Sequence, residues 1–205
     1  GNMAANGGGI RNDNGLTLNN STITANSATG DGGGLSTPSA VPTIKNTIIA
    51  YNTNGGGLWG SGPIMSYCNV FDNVGGNYVG FPIQTDLNGN ISNPPAFADA
   101  TAGDYRLKST GGRWNGSTWV KDFVTSPCID AGDPGSAFDL EPSPNGGRIN
   151  MGFDGNTVQA SLSGISLSRP YVLNGLPRGT GVARTASITV RFSTPMKQAT
   201  VQNAL

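Results

Sequence analysis

Acid–base chemistry needs titratable side chains that can be brought together, and this chain owns few of them. It has no histidine, 12 Lys and Arg, 12 Asp and Glu, and two cysteines, Cys68 and Cys128. Without imidazole, a zinc centre would need more cysteines than these. What remains is carboxylates, alone or beside an Arg or Lys base, which is the equipment of polysaccharide hydrolases and lyases. In the first third of the chain the candidates are Arg11, Asp13, Asp31, Lys45 and Asp72, and no pair of acids recurs in a shared register. No catalytic residue is assigned on this pattern. Two acidic groups have spacings that could suit calcium: Asp86-Leu87-Asn88-Gly89-Asn90-Ile91-Ser92, and the set Asp130, Asp133, Asp139 and Glu141. The first lacks glycine at the sixth loop position and has Phe97 where a bidentate Glu belongs. For both groups Asx turns and capped loops are the favoured reading. Calcium is the one ion these groups could take, and no other cofactor is called for. Cys68 and Cys128 sit in neither a metal nor a redox spacing. They read as buried free thiols, the alternative being a disulfide between the last repeat and the segment after it.

Any such residues would be positioned by a repeat. Gly7-Gly8-Gly9-Ile10, Gly32-Gly33-Gly34-Leu35 and Gly55-Gly56-Gly57-Leu58 begin 25 and 23 residues apart, and Gly75-Gly76-Asn77-Tyr78 is a fainter fourth copy. A period in the twenties implies stacked coils. Aligned from the glycines, Leu18 falls with Ile44 and Met65, Ile23 with Ile49 and Val70, and Asn26 with Asn52 and Asn73. The short alternating stretches around them suit strands, too short to stand alone and therefore obliged to bury their side chains against the next coil. An Asn at one corner of successive coils can stack its amide on its neighbours, and the glycines supply corners with φ > 0. A leucine-rich repeat would need a helical or otherwise closing convex segment. Here the connections are Gly, Ser, Thr, Pro and Asn, as in Ser36-Thr37-Pro38-Ser39-Ala40, and nothing there would hold a helix. The expected fold is all-β: a right-handed parallel β-helix over residues 1–90, a loop-rich cap over 91–163, and a partial β-sandwich segment over 164–205.

Composition narrows the function. Charged residues are 12% and balance to zero, so there is no basic patch for nucleic acid. No apolar run approaches the ~20 residues that span a bilayer. Gly and Pro make 45 of the 205 residues and Asn 22; with the apolar repeats, this describes an ordered, loop-rich β protein rather than a disordered one. Gly1 falls inside a repeat, so the chain reads as a fragment of something longer. Trp114, Trp119 and Phe123 flank turns and are expected to fold over the end of the apolar stack, the rival role being a sugar-stacking platform.

Several phrases resemble a known family: Ile91-Ser92-Asn93-Pro94-Pro95-Ala96-Phe97-Ala98-Asp99, Gly103-Asp104-Tyr105-Arg106-Leu107-Lys108-Ser109, Ser126-Pro127-Cys128-Ile129-Asp130-Ala131-Gly132-Asp133-Pro134, and Glu141-Pro142-Ser143-Pro144-Asn145-Gly146-Gly147-Arg148-Ile149-Asn150-Met151-Gly152. This resembles the C-terminal end of large, secreted, planctomycete-like bacterial right-handed β-helix proteins. After residue 163, Ser187-Ile188-Thr189-Val190-Arg191-Phe192-Ser193-Thr194-Pro195-Met196 resembles part of a bacterial Ig-like domain, too short to close a sandwich of about 100 residues by itself. The resemblance implies an extracellular or cell-surface location. The expected function is a non-catalytic structural or adhesive solenoid, its partners being extracellular polysaccharide or other copies of itself, with self-assembly as a further option. The alternative is a β-helix polysaccharide lyase or glycoside hydrolase whose catalytic coils lie upstream.

Overall fold

The structure is a computed structural model that describes residues 1–164, 172–176 and 189–192; two compact units divide at Gly164, the first Gly1–Gly164 and the second Ile165–Leu205. Among the described residues there is no helix, and every strand is two to five residues long. Three parallel ladders stack coil on coil. The glycine-side ladder runs Ile10–Arg11, Leu35–Thr37, Leu58–Gly60, Tyr78–Val79; the middle ladder Thr17–Asn19, Thr43–Lys45, Ile64–Ser66; the flank ladder Thr22–Thr24, Ile48–Ala50, Asn69–Phe71. The registers match the repeat read from the sequence: Leu18 pairs with Ile44 and Ile44 with Met65, and Ile23 with Ile49 and Ile49 with Val70. The chain is a parallel β-solenoid.

The inward side chains of the three ladders meet in one column. Ile23, Leu35, Ile44, Ile49, Leu58, Met65, Cys68 and Val70 are all buried there, with Tyr78 and Phe81 packed against the last coil. Beside it runs the asparagine ladder. Asn26 Nδ2 donates to Asn52 Oδ1 at 3.2 Å, Asn52 Nδ2 to Asn73 Oδ1 at 2.7 Å, and Asn73 Nδ2 to Asn77 Oδ1 at 2.9 Å. Each accepting oxygen also takes the backbone N–H of the preceding ladder residue, at 3.1 Å in all three steps. A buried amide is thereby satisfied on both its ends, which is what makes its burial tolerable.

The glycine triplets have two jobs rather than one. Their first members, Gly7, Gly32 and Gly55, do sit at positive φ, 66°, 70° and 82°. Their last members do not; they are glycine for want of room. A Cβ on Gly34 would lie 2.5 Å from the Gly57 carbonyl oxygen and 2.8 Å from Asn52 Nδ2, and one on Gly9 or Gly57 would meet Asn26 or Asn73 in the same way. The asparagine ladder occupies the place a side chain would take. Two further corner columns are left-handed without glycine: Asn20, Asn46 and Tyr67, and Ala25, Tyr51 and Asp72, with φ between 45° and 58°.

Residues 91–163, placed over the end of the stack in the sequence reading, run along its side instead. Asn69 Nδ2 donates to the Asn93 carbonyl (2.8 Å), Asn46 Oδ1 accepts the Asp133 N–H (2.7 Å), and Asn20 Nδ2 donates to the Asn150 carbonyl (3.1 Å). The segment thus touches the third, second and first coils in turn. A second apolar cluster forms between the two: Ile48 and Ala50 from the flank ladder with Phe97, Leu107, Cys128, Ile129 and Met151. The strand Ile48–Ala50 is consequently buried on both faces, and its unbroken apolar run is the mark of that. The last coil is covered by the chain that leaves it. Asn90 Oδ1 accepts the Cys68 N–H at 3.0 Å, and Ile91 bridges to Asn69.

Trp114, Trp119 and Phe123 do not fold over the stack. The tryptophans sit edge to face, 5.7 Å apart, on the antiparallel pair Arg113–Trp114 and Trp119–Val120, and Phe123 is fully exposed. In the second unit Val172–Leu176 pairs antiparallel with Thr189–Phe192; the Ig-like assignment otherwise lies outside the described residues.

Candidate functional site

With the flank ladder covered, the middle ladder keeps an open outer surface. Alternation puts Leu18, Ile44 and Met65 inside, and sends Thr17, Thr43 and Ile64 out as one exposed column. Asn19, Lys45 and Ser66 form a second column alongside. Parallel strands about 4.8 Å apart repeat these groups along the solenoid axis. The face carries three hydroxyls (Thr17, Thr43, Ser66), the Asn19 amide, one exposed isoleucine, Ile64, and one cation, Lys45. Sequence reasoning named Lys45 but not its neighbours; period-two alternation, carried through the repeat, is the signal that finds them.

The flank segment forms a rim on this face. Lys45 Nζ reaches Asp133 Oδ2 at 2.9 Å, and the same oxygen accepts the Ser136 hydroxyl at 3.2 Å. Lys45, then the Gly135 N–H, hold the Asp133 carboxyl below the usual range. Asn46 Nδ2 adds bonds to Asn19 Oδ1 (3.2 Å) and Ser136 Oγ (3.1 Å), so face and rim are joined by polar contacts. Behind the rim Arg148 lies over the Tyr67 ring, 5.3 Å from its centroid, and donates to the carbonyls of Ala131 and Gly132.

The remaining candidates are dispersed. Arg11 pairs with Asp13 at 2.9 Å in solvent, Asp72 is an exposed corner residue, and Asp31 serves a glycine turn by accepting the Gly7 N–H with its carbonyl. In the calcium-like loop at Asp86, Asn90 turns inward: its Oδ1 accepts the Cys68 N–H and its Nδ2 donates to the Met65 carbonyl (3.4 Å). Of the second acidic group, Asp139 is exposed and Asp133 is taken by Lys45, whereas Asp130 and Glu141 are drawn inward. Burial raises both of these carboxyls. For Asp130 the Ser163 hydroxyl and Arg148 oppose the shift; for Glu141 the N–H groups of Asn156 and Asn150 oppose it and the Asp130 charge adds to it.

Asp154 belongs to another group, missed in the sequence. Burial pushes its carboxyl up to about 6, Arg106 opposing and Asp104 adding. Arg113 holds Asp122 in a two-pronged pair, Nε to Oδ2 at 3.1 Å and Nη2 to Oδ1 at 3.2 Å, and reaches Asp104 at 3.5 Å. Ion pairs of this kind fasten the flank hairpin.

The cysteines are both free and occupy different clusters, Cys68 in the inner column and Cys128 in the flank. Burial pushes both thiols up to about 12, which suits inert packing residues rather than nucleophiles. No helix among the described residues is long and apolar enough to cross a membrane.

A search of curated proteins finds no match, and neither does a search of solved structures. A family model described as "Disaggregatase related" matches residues 43–132. The matched stretch opens on Thr43 in the middle ladder and ends at Gly132, whose neighbour Asp133 bonds to Lys45 and Asn46. Over that stretch, somewhat under half its length, this β-solenoid is similar to the disaggregatase-related family.

Proposed function

We propose that the chain is an extracellular, non-catalytic solenoid module that binds polysaccharide along the middle-ladder face. The observation that carries this is the ordered outer surface itself: Thr17, Thr43 and Ile64 in one column, Asn19, Lys45 and Ser66 in the next, repeated at strand spacing and braced by the Lys45–Asp133 rim. Hydroxyls, the Asn19 amide and a single ammonium are donors and acceptors for sugar hydroxyls, Ile64 offers an apolar contact to a sugar ring face, and a near-neutral face has no charge penalty to overcome on meeting a neutral polymer. The test is affinity electrophoresis through gels cast with neutral and acidic polysaccharides, comparing the chain with Thr43→Glu. Retardation by a polymer, lost in the variant while its circular dichroism is unchanged, is the expected result. Equal mobility in every gel sinks the reading.

A second reading is favoured by the family name, whose ending denotes an enzyme. It is a lyase or hydrolase whose acids meet on coils outside this stretch. It separates from the first by product: a polymer shortened on incubation, where the first reading has it bound and left at its original length.

A further inference from the structure

Residues 1–164 contain six Asn-Gly pairs, beginning at Asn6, Asn14, Asn54, Asn88, Asn115 and Asn145. This dipeptide carries its own chemistry. A glycine has no Cβ to shield its amide nitrogen, so that nitrogen can reach the side-chain carbonyl carbon of the preceding Asn wherever the backbone is free to turn. Five of the six pairs are held. Asn6 Oδ1 accepts the Asp31 N–H at 3.0 Å, and the Gly7 N–H donates to the Asp31 carbonyl at 2.9 Å. The Asn54 carbonyl accepts the Ala28 N–H at 3.2 Å, and the Gly55 carbonyl accepts the Gly32 N–H at 2.7 Å. The Asn88 carbonyl accepts the Tyr67 N–H at 3.0 Å, with Gly89 pressed against the Tyr67 ring. Asn115 Oδ1 takes three bonds from Ser117 and Thr118, at 2.9 to 3.1 Å. Asn145 Oδ1 accepts the Gly147 N–H at 3.3 Å, and its Nδ2 donates to the Glu141 carbonyl at 3.2 Å.

Asn14 differs from all five. It is exposed, in the bend between the strands Ile10–Arg11 and Thr17–Asn19. No backbone hydrogen bond among the described residues holds Asn14 or Gly15. The side-chain bonds nearby end at Asp13, whose carboxylate oxygens accept from Arg11 Nε at 3.1 and 3.0 Å. Nothing lies within 4 Å of the place a Gly15 Cβ would take.

We infer that Asn14 is a site of spontaneous deamidation, the fold leaving this pair free while it holds the other five. The Gly15 nitrogen attacks Asn14 Cγ; the N–Cγ bond forms as Cγ–Nδ2 breaks, and ammonia leaves with the Gly15 amide proton. Water then opens the cyclic imide at either carbonyl, giving aspartate or isoaspartate. One neutral amide becomes a carboxylate, which lowers the net charge, zero in the unmodified chain, by one unit. Isoaspartate also inserts one carbon into the main chain, at the bend that leads to Leu16, whose carbonyl accepts the Thr43 N–H at 2.9 Å. The change therefore falls at the first rung of the middle ladder. Elsewhere a pair must break its bonds before it can cyclise, and the loss of two slows the reaction by about tenfold or more.

The test holds the full chain at physiological temperature in mildly alkaline buffer and follows it by isoelectric focusing and tryptic mapping. Cleavage after Arg11 and Lys45 isolates residues 12–45, where Asn14 is the one Asn followed by Gly. The expected result is a more acidic form whose added carboxyl maps to Asn14 and whose isoaspartate is a substrate for isoaspartyl methyltransferase. The other five pairs should convert at least about tenfold more slowly. In urea all six should convert at similar rates. Asn14→Gln should abolish the early acidic form, and Gly15→Ala should slow it with the thermal melt unchanged. Conversion first at another pair, rates as uniform in the native chain as in urea, or an Asn14 that stays intact while the unfolded chain converts would each overturn the assignment.

Discussion

Asn52 is the middle rung of the asparagine ladder and is fully buried. Its Oδ1 accepts both the backbone N–H and the Nδ2 of Asn26, at 3.1 and 3.2 Å, and its Nδ2 donates to Asn73 Oδ1 at 2.7 Å and to the Ile23 carbonyl at 3.4 Å. Asn52→Ala removes all four bonds and orphans two buried donors on Asn26. Each orphan costs roughly 1–3 kcal/mol, and the vacated volume adds about 1 kcal/mol more where the coils do not collapse. The expected loss is about 4 kcal/mol, a large part of the ~5–15 kcal/mol that holds a domain folded. Asn26→Ala is the control, because Asn26 Oδ1 accepts one bond, from the Asn2 N–H at 2.9 Å. It should cost about half as much. Guanidinium unfolding followed by far-ultraviolet circular dichroism measures both. An Asn52→Ala variant within about 1 kcal/mol of the parent, or equal to Asn26→Ala, would refute the ladder as a source of stability.

Other changes separate the parts of the account. Gly34→Ala should destabilise by more than about 2 kcal/mol through overpacking against Gly57 and Asn52, whereas Gly15→Ala, with nothing within 4 Å of its Cβ, should be close to neutral in the same melts. Asp154 binds its proton more tightly folded than unfolded, so the stability it contributes is present at low pH and is lost as pH climbs from about 4 to about 6. Discounted for partial exposure, that is about 1–2 kcal/mol. The stability gain of Asp154→Asn over the parent should accordingly grow between pH 4 and 6 and level off above; a gain independent of pH contradicts the assignment. Ellman's reagent should find no reactive thiol in the native chain and two after unfolding, as two thiols pushed up to about 12 require.

The coil register was legible because one period carries both faces of each strand: Ile23, Ile49 and Val70 repeat as a unit with Asn26, Asn52 and Asn73, and every apolar member found its partner. The corner columns were not, since Ala25, Tyr51 and Asp72 share a left-handed backbone and nothing in side-chain type. The docking of residues 91–163 was misplaced for a similar reason. That segment has no period of its own, and its position is fixed by Asn20, Asn46 and Asn69 on the coils. Ile48-Ile49-Ala50 did carry a hint, because a half-exposed strand would have alternated. The outer columns of the candidate face were implicit in the alternation, while the Lys45–Asp133 rim depends on turns that bring residues 88 positions apart together.

The most direct test of the binding face is to incubate the chain with the polysaccharide that retards it and follow two quantities together: bound protein by co-sedimentation, and polymer length by size-exclusion with light scattering. The account predicts saturable binding that Thr43→Glu abolishes, with the polymer's length unchanged. Shortening of the polymer by the parent chain, or binding that Thr43→Glu leaves intact, would contradict it.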